Sequence, residues 1–266
     1  MAKLTKPQIK AHKEALALVD CGRDLHDEEK EFILDNWQEA ATHINSDAGA
    51  FFTPRGLARD FAIEVGGSSV ELGPCIDLCA GIGCLAYHVA HKFDRIVCVE
   101  INPEYARIGQ RVVPEAEWIV ASVFDPRILD MATFSWAISN PPFGKIKSPD
   151  YTGRYSGSEF EYRVIELASR LAHFGAFILP QMSAPFRYSG SQEYRAEESD
   201  KARRFREQTG IEMEPNCGID TAIYSKEWRG VAPVCEIVVC EFGGPVAKQN
   251  LTTDAPVTGD LFSEAA

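Results

Sequence analysis

Apolar positions follow two different periods along this chain, and these periods predict its elements. Before residue 46 they recur every three or four residues, as in DEEKEFILDNWQEAATHI at 27–44, which predicts amphipathic helices. Later, continuous apolar runs such as PCIDLCA (74–80) and RIVCVEI (95–101) flank a helical pattern, CLAYHVAHKF (84–93). Continuous apolar runs are typical of strands buried on both faces. The sequence therefore predicts a helical extension followed by an alternating strand–helix domain.

The alternation continues through most of the remaining chain. Further strands are predicted at 117–124, 134–140 and 175–182, and further helices at 103–113 and 159–174. Two last strands, DTAIYS (220–225) and APVCEIVVCEF (232–242), have no helix between them, which predicts a hairpin with an antiparallel strand. Strands joined by helices form a parallel sheet covered on both faces. The predicted fold is α/β, with a mostly parallel seven-stranded sheet and an antiparallel terminal strand.

These patterns divide the chain into three parts. Residues 1–46 form the N-terminal helical extension, and residues 47–243 form the α/β domain. A polar, helix-prone segment inside the domain predicts a small insert at about 181–218. Residues 244–266 contain scattered Pro, Thr and Asp, and we expect a flexible tail there.

Composition restricts the possible partners. The chain has 266 residues, a net charge of −12 and a pI of about 5.0. Proteins that hold nucleic acid mainly through phosphates are usually basic, so tight nonspecific binding is disfavoured, although a local basic groove remains possible. The sequence has no membrane-length apolar run and no secretory signal, which predicts a cytoplasmic protein without a membrane partner. Its eight cysteines include no CxxC pair, which favours buried reduced thiols over a metal site.

The strand end IDLCAGIGCLA (76–86) carries the first candidate binding site. Gly81 and Gly83 allow close approach of backbone to a ligand, although two such glycines are weak evidence alone. Asp77 precedes them and suits a cationic or amine-bearing ligand better than a pyrophosphate. Glu100 ends the next strand, where a carboxylate can accept hydrogen bonds from both ribose hydroxyls. Alternatively, Glu100 caps the helix that follows it.

A second candidate site lies where the strand at 134–140 ends, in Asn140-Pro141-Pro142-Phe143. Proline has no N–H to donate, so the chain leaves the sheet there in a stiff turn. Taken alone, such a turn is compatible with ordinary packing at a strand end. Because ligands of parallel sheets bind at the carboxyl ends of strands, both candidate sites are expected at the same edge.

These motifs, together with FFTP at 51–54, resemble those of the Rossmann-like, class I S-adenosylmethionine-dependent methyltransferases, over about residues 47–242. The order FFTP, DLCAGIG, NPPF is similar to that of adenine-specific DNA methyltransferases, which methylate the N6 amine. The resemblance implies S-adenosylmethionine as the cofactor and DNA as the partner. A sizeable target-recognition domain is missing, so a separate recognition subunit is a possible further partner.

The resemblance also implies which residues contact the cofactor. Asp77, Gly81 and Gly83 would border its methionine part, Thr53 would lie near its carboxylate, and Glu100 would bind its ribose. The remaining implied contacts lie beside these motifs and at strand ends: Phe52, Ala80, Ile101, Ser122, Asp125 and Asn140.

Two assignments on the adenine side have alternatives. Related proteins often carry an acid just after the third strand, where this chain has Ser122, with Asp125 three residues later. Either residue could contact the adenine ring. Ile101 either packs on the adenine face or belongs to the ordinary core.

The implied catalytic residues are Asn140, Pro141, Pro142 and Phe143. An aromatic amine is a poor nucleophile because its lone pair is delocalised into the ring. If the Asn140 side-chain oxygen and the Pro141 carbonyl accept its hydrogens, the lone pair is directed at the methyl carbon. The prolines would hold these acceptors in place, and Phe143 would stack on the extruded base.

Basic and aromatic residues follow this turn. Besides Phe143, the predicted substrate-binding residues are Lys145, Lys147, Tyr151 and Arg154, a mixture that suits a flipped or single-stranded nucleotide. The alternative is a mobile polar loop over the pocket. The basic run KARRFR (201–206) either contacts phosphate or forms a helix with balanced charge.

Two other functions remain open. Enzymes that methylate ribosomal RNA or a protein glutamine share the NPPF or NPPY chemistry, although they usually lack the FFTP box. A non-catalytic cofactor-binding subunit of a larger complex is the second alternative. The intact NPPF motif argues against the latter.

Overall fold

The structure, a computed structural model, describes residues 4–38, 51–66, 73–229 and 233–243. Six strands form its central sheet: β1 Cys75–Leu78, β2 Ile96–Glu100, β3 Glu117–Val120, β4 Phe134–Ser139, β5 Ala172–Pro180 and β8 Cys235–Glu241. Their order is β3-β2-β1-β4-β5-β8. Strand β8 is antiparallel to β5, and the other neighbours are parallel. The predicted α/β fold with an antiparallel terminal strand is confirmed.

Eight α-helices occur among the described residues: α1 Lys6–Val19, α2 Asp27–Asn36, α3 Arg55–Glu64, α4 Cys84–Val89, α5 Pro103–Val112, α6 Pro126–Leu129, α7 Phe160–Ser169 and α8 Asp200–Thr209. A two-stranded ribbon, β6 Phe186–Arg187 with β7 Arg195–Ala196, lies within the predicted insert. The predicted helical stretch before residue 46 contains α1 and α2, separated by a turn at Gly22, whose φ is +60°. Its residues 39–46, like the predicted tail, lie outside the described residues.

The sheet separates two apolar cores. Successive strand residues point to opposite faces, so Cys75 and Cys98 belong to one core, while Ile76 and Val97 belong to the other. Helices α1 to α5 contribute to the first core and helices α6 to α8 to the second. None of the eight cysteines forms a disulfide. Five of them are buried as expected, but Cys217 is exposed.

The predicted seventh strand and terminal hairpin are wrong for the described residues. Thr221–Tyr224 forms a 3₁₀ turn instead of a strand. The reason is local: the Asp220 side chain accepts a hydrogen bond from the N–H of Ala222 and so favours a turn. At the outer edge of β8, the pairing seen among the described residues is an isolated antiparallel bridge between Glu214 and Val239.

The predicted boundary between the helix at 159–174 and the strand at 175–182 is also wrong. Helix α7 ends at Ser169, and β5 begins at Ala172. The strand starts early because both neighbours pair with it there: Ala172 with Phe134 of β4, and Phe174 with Glu241 of β8.

Candidate active site

The carboxyl ends of β1, β2 and β4 surround a cavity of about 480 Å³. It lies where the strand order reverses between β1 and β4, the usual ligand position in such sheets. Predicted site residues that line it are Phe52, Gly81, Glu100, Ile101, Ser122, Asn140, Pro142 and Lys147. A smaller pocket adjoins the same end of β1 and is lined by the predicted residues Phe52, Thr53, Asp77, Ala80, Gly81 and Asn140. Phe52, Gly81 and Asn140 border both spaces.

The side chain of Asn140 has one occupied end and one free end. Its Nδ2 donates to the carbonyl oxygen of Phe51 at 3.1 Å and to Thr53 Oγ1 at 2.9 Å. Its Oδ1 is buried and has no hydrogen-bond partner among the described residues. The FFTP segment therefore fixes the orientation of the amide and leaves an acceptor unused at the cavity wall.

Asp77 is a buried carboxylate without a hydrogen-bond partner in the described part of the chain. The residue is 1% exposed, and both of its oxygens are unpaired. Burial raises its pKa well above the usual range. The nearby backbone N–H of Ala86, which does not meet the distance and angle of a hydrogen bond, partly offsets the rise, and the charge of Glu100 adds to it. An unpaired buried carboxylate is costly, so Asp77 is suited to a donor or cation that enters the smaller pocket.

Glu100 is held by the backbone at the end of β2. Its Oε2 accepts from the N–H of Gly81 and its Oε1 from the N–H of Asn102, each at 2.8 Å. Burial raises the pKa of the Glu100 carboxyl, and these backbone donors partly offset the rise. Asn102 caps α5 through its own side chain. A carboxylate oxygen has room for further hydrogen bonds, so Glu100 can still accept hydroxyl groups from the cavity.

The two glycines of the turn lie in different surroundings. Gly81 borders the cavity with a φ of +58°. Gly83, with a φ of +85°, borders neither pocket and packs against Trp118 and Val113 instead. The first glycine thus faces the ligand space, whereas the second allows helix α4 to begin close to β3.

The structure separates the two candidates on the adenine side. Ser122 lines the cavity, and its Oγ accepts the N–H of Phe124 at 3.2 Å. Asp125 lines neither pocket. It caps α6 and forms an ion pair of 2.7 Å with Arg127, which lowers the pKa of Asp125 to about 2. Ile101 lines the cavity and is 70% exposed, so the expectation that it belongs to the ordinary core is wrong.

The residues after Asn140 play different structural parts. Pro141 is buried, whereas Pro142 lines the cavity. The ring of Phe143 lies edge-on to that of Phe51, with centroids 6.2 Å apart, and does not line the cavity. This contact is a second link between the FFTP segment and the turn.

Only part of the following loop borders the cavity. Lys147 lines it, whereas Lys145 pairs its backbone with Glu159. Tyr151 faces away: its hydroxyl donates to Glu166, and its ring lies under Arg163, 4.9 Å from the guanidinium carbon.

Arg154 is exposed and also lies outside both pockets, and its backbone N–H donates to Glu166.

In the basic run at 201–206, Lys201 contacts Glu159 and Arg206 contacts Glu198, each at 2.9 Å. These pairs favour the interpretation of this helix as one with balanced charge.

Several cavity residues were missed from the sequence: Phe51, Cys79, Asn102, Tyr105, Phe124 and Phe160, with the stretch 148–150. Phe51 and Cys79 could have been found, since they lie within the FFTP and DLCAGIG motifs. Asn102 follows closely after Glu100, and Phe124 follows the third strand. The others reach the cavity only through the tertiary fold. The described residues contain no cluster of metal-ligating side chains, and no helix among them is long and apolar enough to span a membrane.

Comparison with solved structures identifies the fold. The chain superposes on a protein from Listeria monocytogenes assigned to the class I S-adenosylmethionine-dependent methyltransferases, with a TM-score of 0.59, 10% identity, and coverage of 86% of this chain and 79% of that one. This chain has the class I methyltransferase fold. A type I restriction-modification methyltransferase subunit from Streptococcus thermophilus gives a TM-score of 0.57 at 12% identity, covering 81% of this chain and 48% of the subunit.

Sequence comparison gives a shorter match. The release factor glutamine methyltransferase of Corynebacterium glutamicum is 32% identical over 92 residues, which are 32% of this chain and 33% of that protein. The match thus spans about a third of the curated relative. No family model matches the chain.

Proposed function

We propose that this protein is a methyltransferase that transfers the methyl group of S-adenosylmethionine to the N6 amino group of adenine in DNA. The observation that carries the proposal is the free Oδ1 of Asn140, buried at the cavity while its Nδ2 is held by Phe51 and Thr53. A fixed, unused acceptor beside a proline-braced turn suits an amino group that must be oriented.

The residues at the cavity fit the cofactor. Asp77 offers an unpaired buried carboxylate to its cationic amino group, and Glu100 offers backbone-anchored oxygens to its ribose hydroxyls. Ile101 and Ser122 line the space for its adenine. When bound, the cofactor supplies an electrophilic methyl group on a positively charged sulfur.

The chain's own residues orient and polarise the acceptor. Asn140 Oδ1 and the Pro141 carbonyl accept the two amine hydrogens, which draws the nitrogen lone pair out of conjugation with the ring. The fixed φ angles of the two prolines keep these acceptors in place. No residue need act as a strong base, because the proton can leave after the methyl group is transferred. Phe143 and Lys147 are proposed to contact the target base and its strand.

DNA is favoured as the substrate by the FFTP segment. In this protein the segment directly holds the proposed catalytic amide, and its occurrence with NPPF resembles adenine-specific DNA methyltransferases. The restriction-modification subunit that shares the fold acts within a larger system. We therefore propose that a separate subunit contributes target recognition, since a chain with a net charge of −12 is poorly suited to bind DNA through its phosphates alone.

A protein glutamine is the second candidate substrate. The 32% identity over 92 residues with a release factor glutamine methyltransferase favours it. The nitrogen of a carboxamide, like the amino nitrogen of adenine, is planar and weakly nucleophilic. The same two acceptors would orient it.

Transfer of tritium from labelled S-adenosylmethionine to DNA, RNA and protein separates these candidates. We expect label in DNA, and N6-methyladenine when that DNA is digested to nucleosides and analysed by mass spectrometry. Label in a protein glutamine would favour the second candidate, and label in RNA would indicate an RNA methyltransferase. Cofactor binding without transfer to any acceptor would indicate a non-catalytic subunit and overturn the proposal.

Asn140→Ala tests the proposed catalytic residue. We expect kcat to fall by about 10²-fold or more, while the cofactor Kd, measured by calorimetry, stays near that of the wild type. Loss of cofactor binding in this variant, or retention of its activity, would contradict the assignment.

A further inference from the structure

Gly144, the residue after the Asn140–Phe143 turn, is held by a buried carboxylate that belongs to no sequence motif. Glu161, in the first turn of α7, is 1% exposed. Its Oε2 accepts the backbone N–H of Gly144 at 2.9 Å, and its Oε1 accepts the hydroxyl of Ser183 at 2.8 Å. Glu161 lines neither pocket. Its two oxygens therefore connect the turn after β4 with the segment after β5.

Gly144 is fixed through both of its backbone groups. Its N–H donates to Glu161, and its carbonyl accepts the N–H of Phe160 at 2.8 Å. The next residue, Lys145, pairs its backbone with Glu159. The φ of Gly144 is +88°, a value that glycine adopts easily. The start of α7 thus sets the position and orientation of the peptide that directly follows Phe143.

The other end of the turn is held separately. Asn140 Nδ2 donates to Phe51 and Thr53, which belong to the FFTP segment. Between Asn140 and Gly144, two of the three intervening residues are prolines with fixed φ. Few torsions are free to absorb a movement at one end. A displacement of Gly144 is therefore transmitted to the Pro141 carbonyl and the Asn140 side chain.

We infer that Glu161 is a positioning residue for the Asn140–Phe143 turn and acts through Gly144 without touching substrate or cofactor. The kinetic consequence rests on the proposed function, whereas the contact with Gly144 belongs to the fold itself. FFTP holds the start of the turn, and Glu161 holds its end.

The chemistry of the contact distinguishes two substitutions. In Glu161→Ala, the N–H of Gly144 loses its partner. In Glu161→Gln, the amide oxygen can accept the Gly144 N–H while the amide nitrogen donates to Ser183 Oγ, because a hydroxyl both donates and accepts. Glutamine should therefore preserve the position of the turn, whereas alanine should release it.

The test combines hydrogen exchange with kinetics. In Glu161→Ala, we expect NMR-detected exchange of the Gly144 amide to accelerate about tenfold or more. We expect kcat to fall about 10- to 100-fold, since a small misplacement of reacting groups costs this much. The cofactor Kd should change by less than about threefold, well below the tenfold that corresponds to 1.4 kcal/mol. Glu161→Gln should restore slow exchange and most of kcat.

Glu64→Ala is the matched control. Glu64 is also a buried carboxylate that accepts a backbone N–H, that of Cys217 at 3.3 Å, but it lies on α3 and lines neither pocket. The control should leave Gly144 exchange and kcat unchanged in the folded fraction. If Glu161→Ala does not fold, Ser183→Ala, which removes one of the two bonds to Glu161, should still accelerate Gly144 exchange and lower kcat.

Three results would overturn the inference: unchanged Gly144 exchange in both Glu161→Ala and Ser183→Ala, an equal loss of kcat in Glu64→Ala, or a Glu161→Gln variant as impaired as Glu161→Ala. Failure of the proposed function is a different result. If the wild-type protein transfers methyl groups to no acceptor, that function is wrong, and the exchange measurement alone then decides whether Glu161 holds the turn.

Discussion

Thr53 Oγ1 accepts a hydrogen bond of 2.9 Å from Asn140 Nδ2, and the two residues are 87 positions apart in sequence. The bond determines which end of the Asn140 amide is engaged by the FFTP segment and which end, Oδ1, is left unpaired. A rotated amide would place Oδ1 against Thr53 and against the carbonyl oxygen of Phe51, which cannot donate to it. The FFTP segment therefore selects the orientation that leaves Oδ1 free.

We expect Thr53→Val to lower kcat by roughly three- to tenfold, the effect of one neutral hydrogen bond, because valine has the shape of threonine but cannot accept from Asn140. Thr53→Ser keeps the hydroxyl and should retain most of the activity. Steady-state kinetics, with the cofactor Kd from calorimetry, check both variants. Equal activity in the wild type and Thr53→Val would show that Thr53 does not orient the amide.

Asp77→Asn is expected to stabilise the ligand-free protein and weaken cofactor binding. Burial raises the folded-state pKa of Asp77 above its unfolded value of about 3.9. The protonated Asp77 carboxyl therefore makes its full contribution to the free energy of unfolding below about pH 4. This contribution is lost as pH rises toward the folded-state pKa. Asparagine has no charge to bury, so this loss disappears. At pH 7 we therefore expect Tm to rise by about 2–4 °C for each kcal/mol of unfolding free energy that is regained. We also expect the cofactor Kd to increase about tenfold or more, because the cofactor loses a charged partner.

Thermal unfolding between pH 4 and pH 8 checks this prediction, with Asp125→Asn as the control of opposite sign. Arg127 lowers the pKa of Asp125 to about 2, so its contribution is present above about pH 4 and is lost as pH falls toward 2. Asp125→Asn should therefore lower Tm at pH 7. A lower Tm for Asp77→Asn, or an unchanged cofactor Kd, would contradict the role of Asp77.

The sequence predicted the central strands of the sheet better than the strands at its outer edge. The reason is that the spacing of apolar residues indicates which segments are buried. Strands β1, β2 and β4 are buried, apolar runs, and their order with the helices follows from that pattern. The segment at 220–225 has a comparable composition, but the side chain of Asp220 turns it into a 3₁₀ turn. A single side-chain hydrogen bond is invisible to an argument from periodicity.

The candidate site was predicted where short motifs mark the ends of strands. Gly81, Glu100 and Asn140 are of this kind, and all three line the cavity. Tyr105 and Glu161 could not be found in this way. Tyr105 reaches the cavity from the first turn of α5, and Glu161 binds Gly144, which is 17 residues away in sequence. Such contacts depend on the packing of elements that are distant in sequence.

Trp37→Ala is expected to reduce both stability and cofactor affinity, because the N-terminal helices support the cavity wall. Trp37 is 1% exposed, and its ring lies 5.3 Å from that of Phe52 and 5.4 Å from that of Tyr105. Both contacted residues line the cavity. We expect a loss of about 3–5 kcal/mol in unfolding free energy, measured by denaturant titration, and a cofactor Kd increased by about tenfold.

Leu34→Ala is the matched control for this effect. Leu34 is buried on α2, the helix that ends directly before Trp37, and it has no ring to pack against Phe52 or Tyr105. It should cost about 2–5 kcal/mol of stability with little change in the cofactor Kd of the folded protein. A proportional loss of affinity in both variants would mean that Trp37 contributes only to stability.

Ser122→Ala and Asp125→Ala decide which residue contacts the adenine of the cofactor. Ser122 lines the cavity, and its hydroxyl hydrogen remains available to donate to a ring nitrogen. Asp125 is engaged by Arg127 and by the start of α6. We expect Ser122→Ala to raise the cofactor Kd about three- to tenfold, the effect of one hydrogen bond, with little change in Tm.

For Asp125→Ala we expect the reverse pattern. Losing the cap of α6 should lower the Tm, which thermal unfolding would detect, while calorimetry should give an unchanged cofactor Kd. Titration with adenosine alone isolates the adenosyl side of the site, and there too only Ser122→Ala should weaken binding. Weaker binding in Asp125→Ala, with wild-type binding in Ser122→Ala, would require Asp125 to leave Arg127 and turn toward the cavity when the cofactor binds.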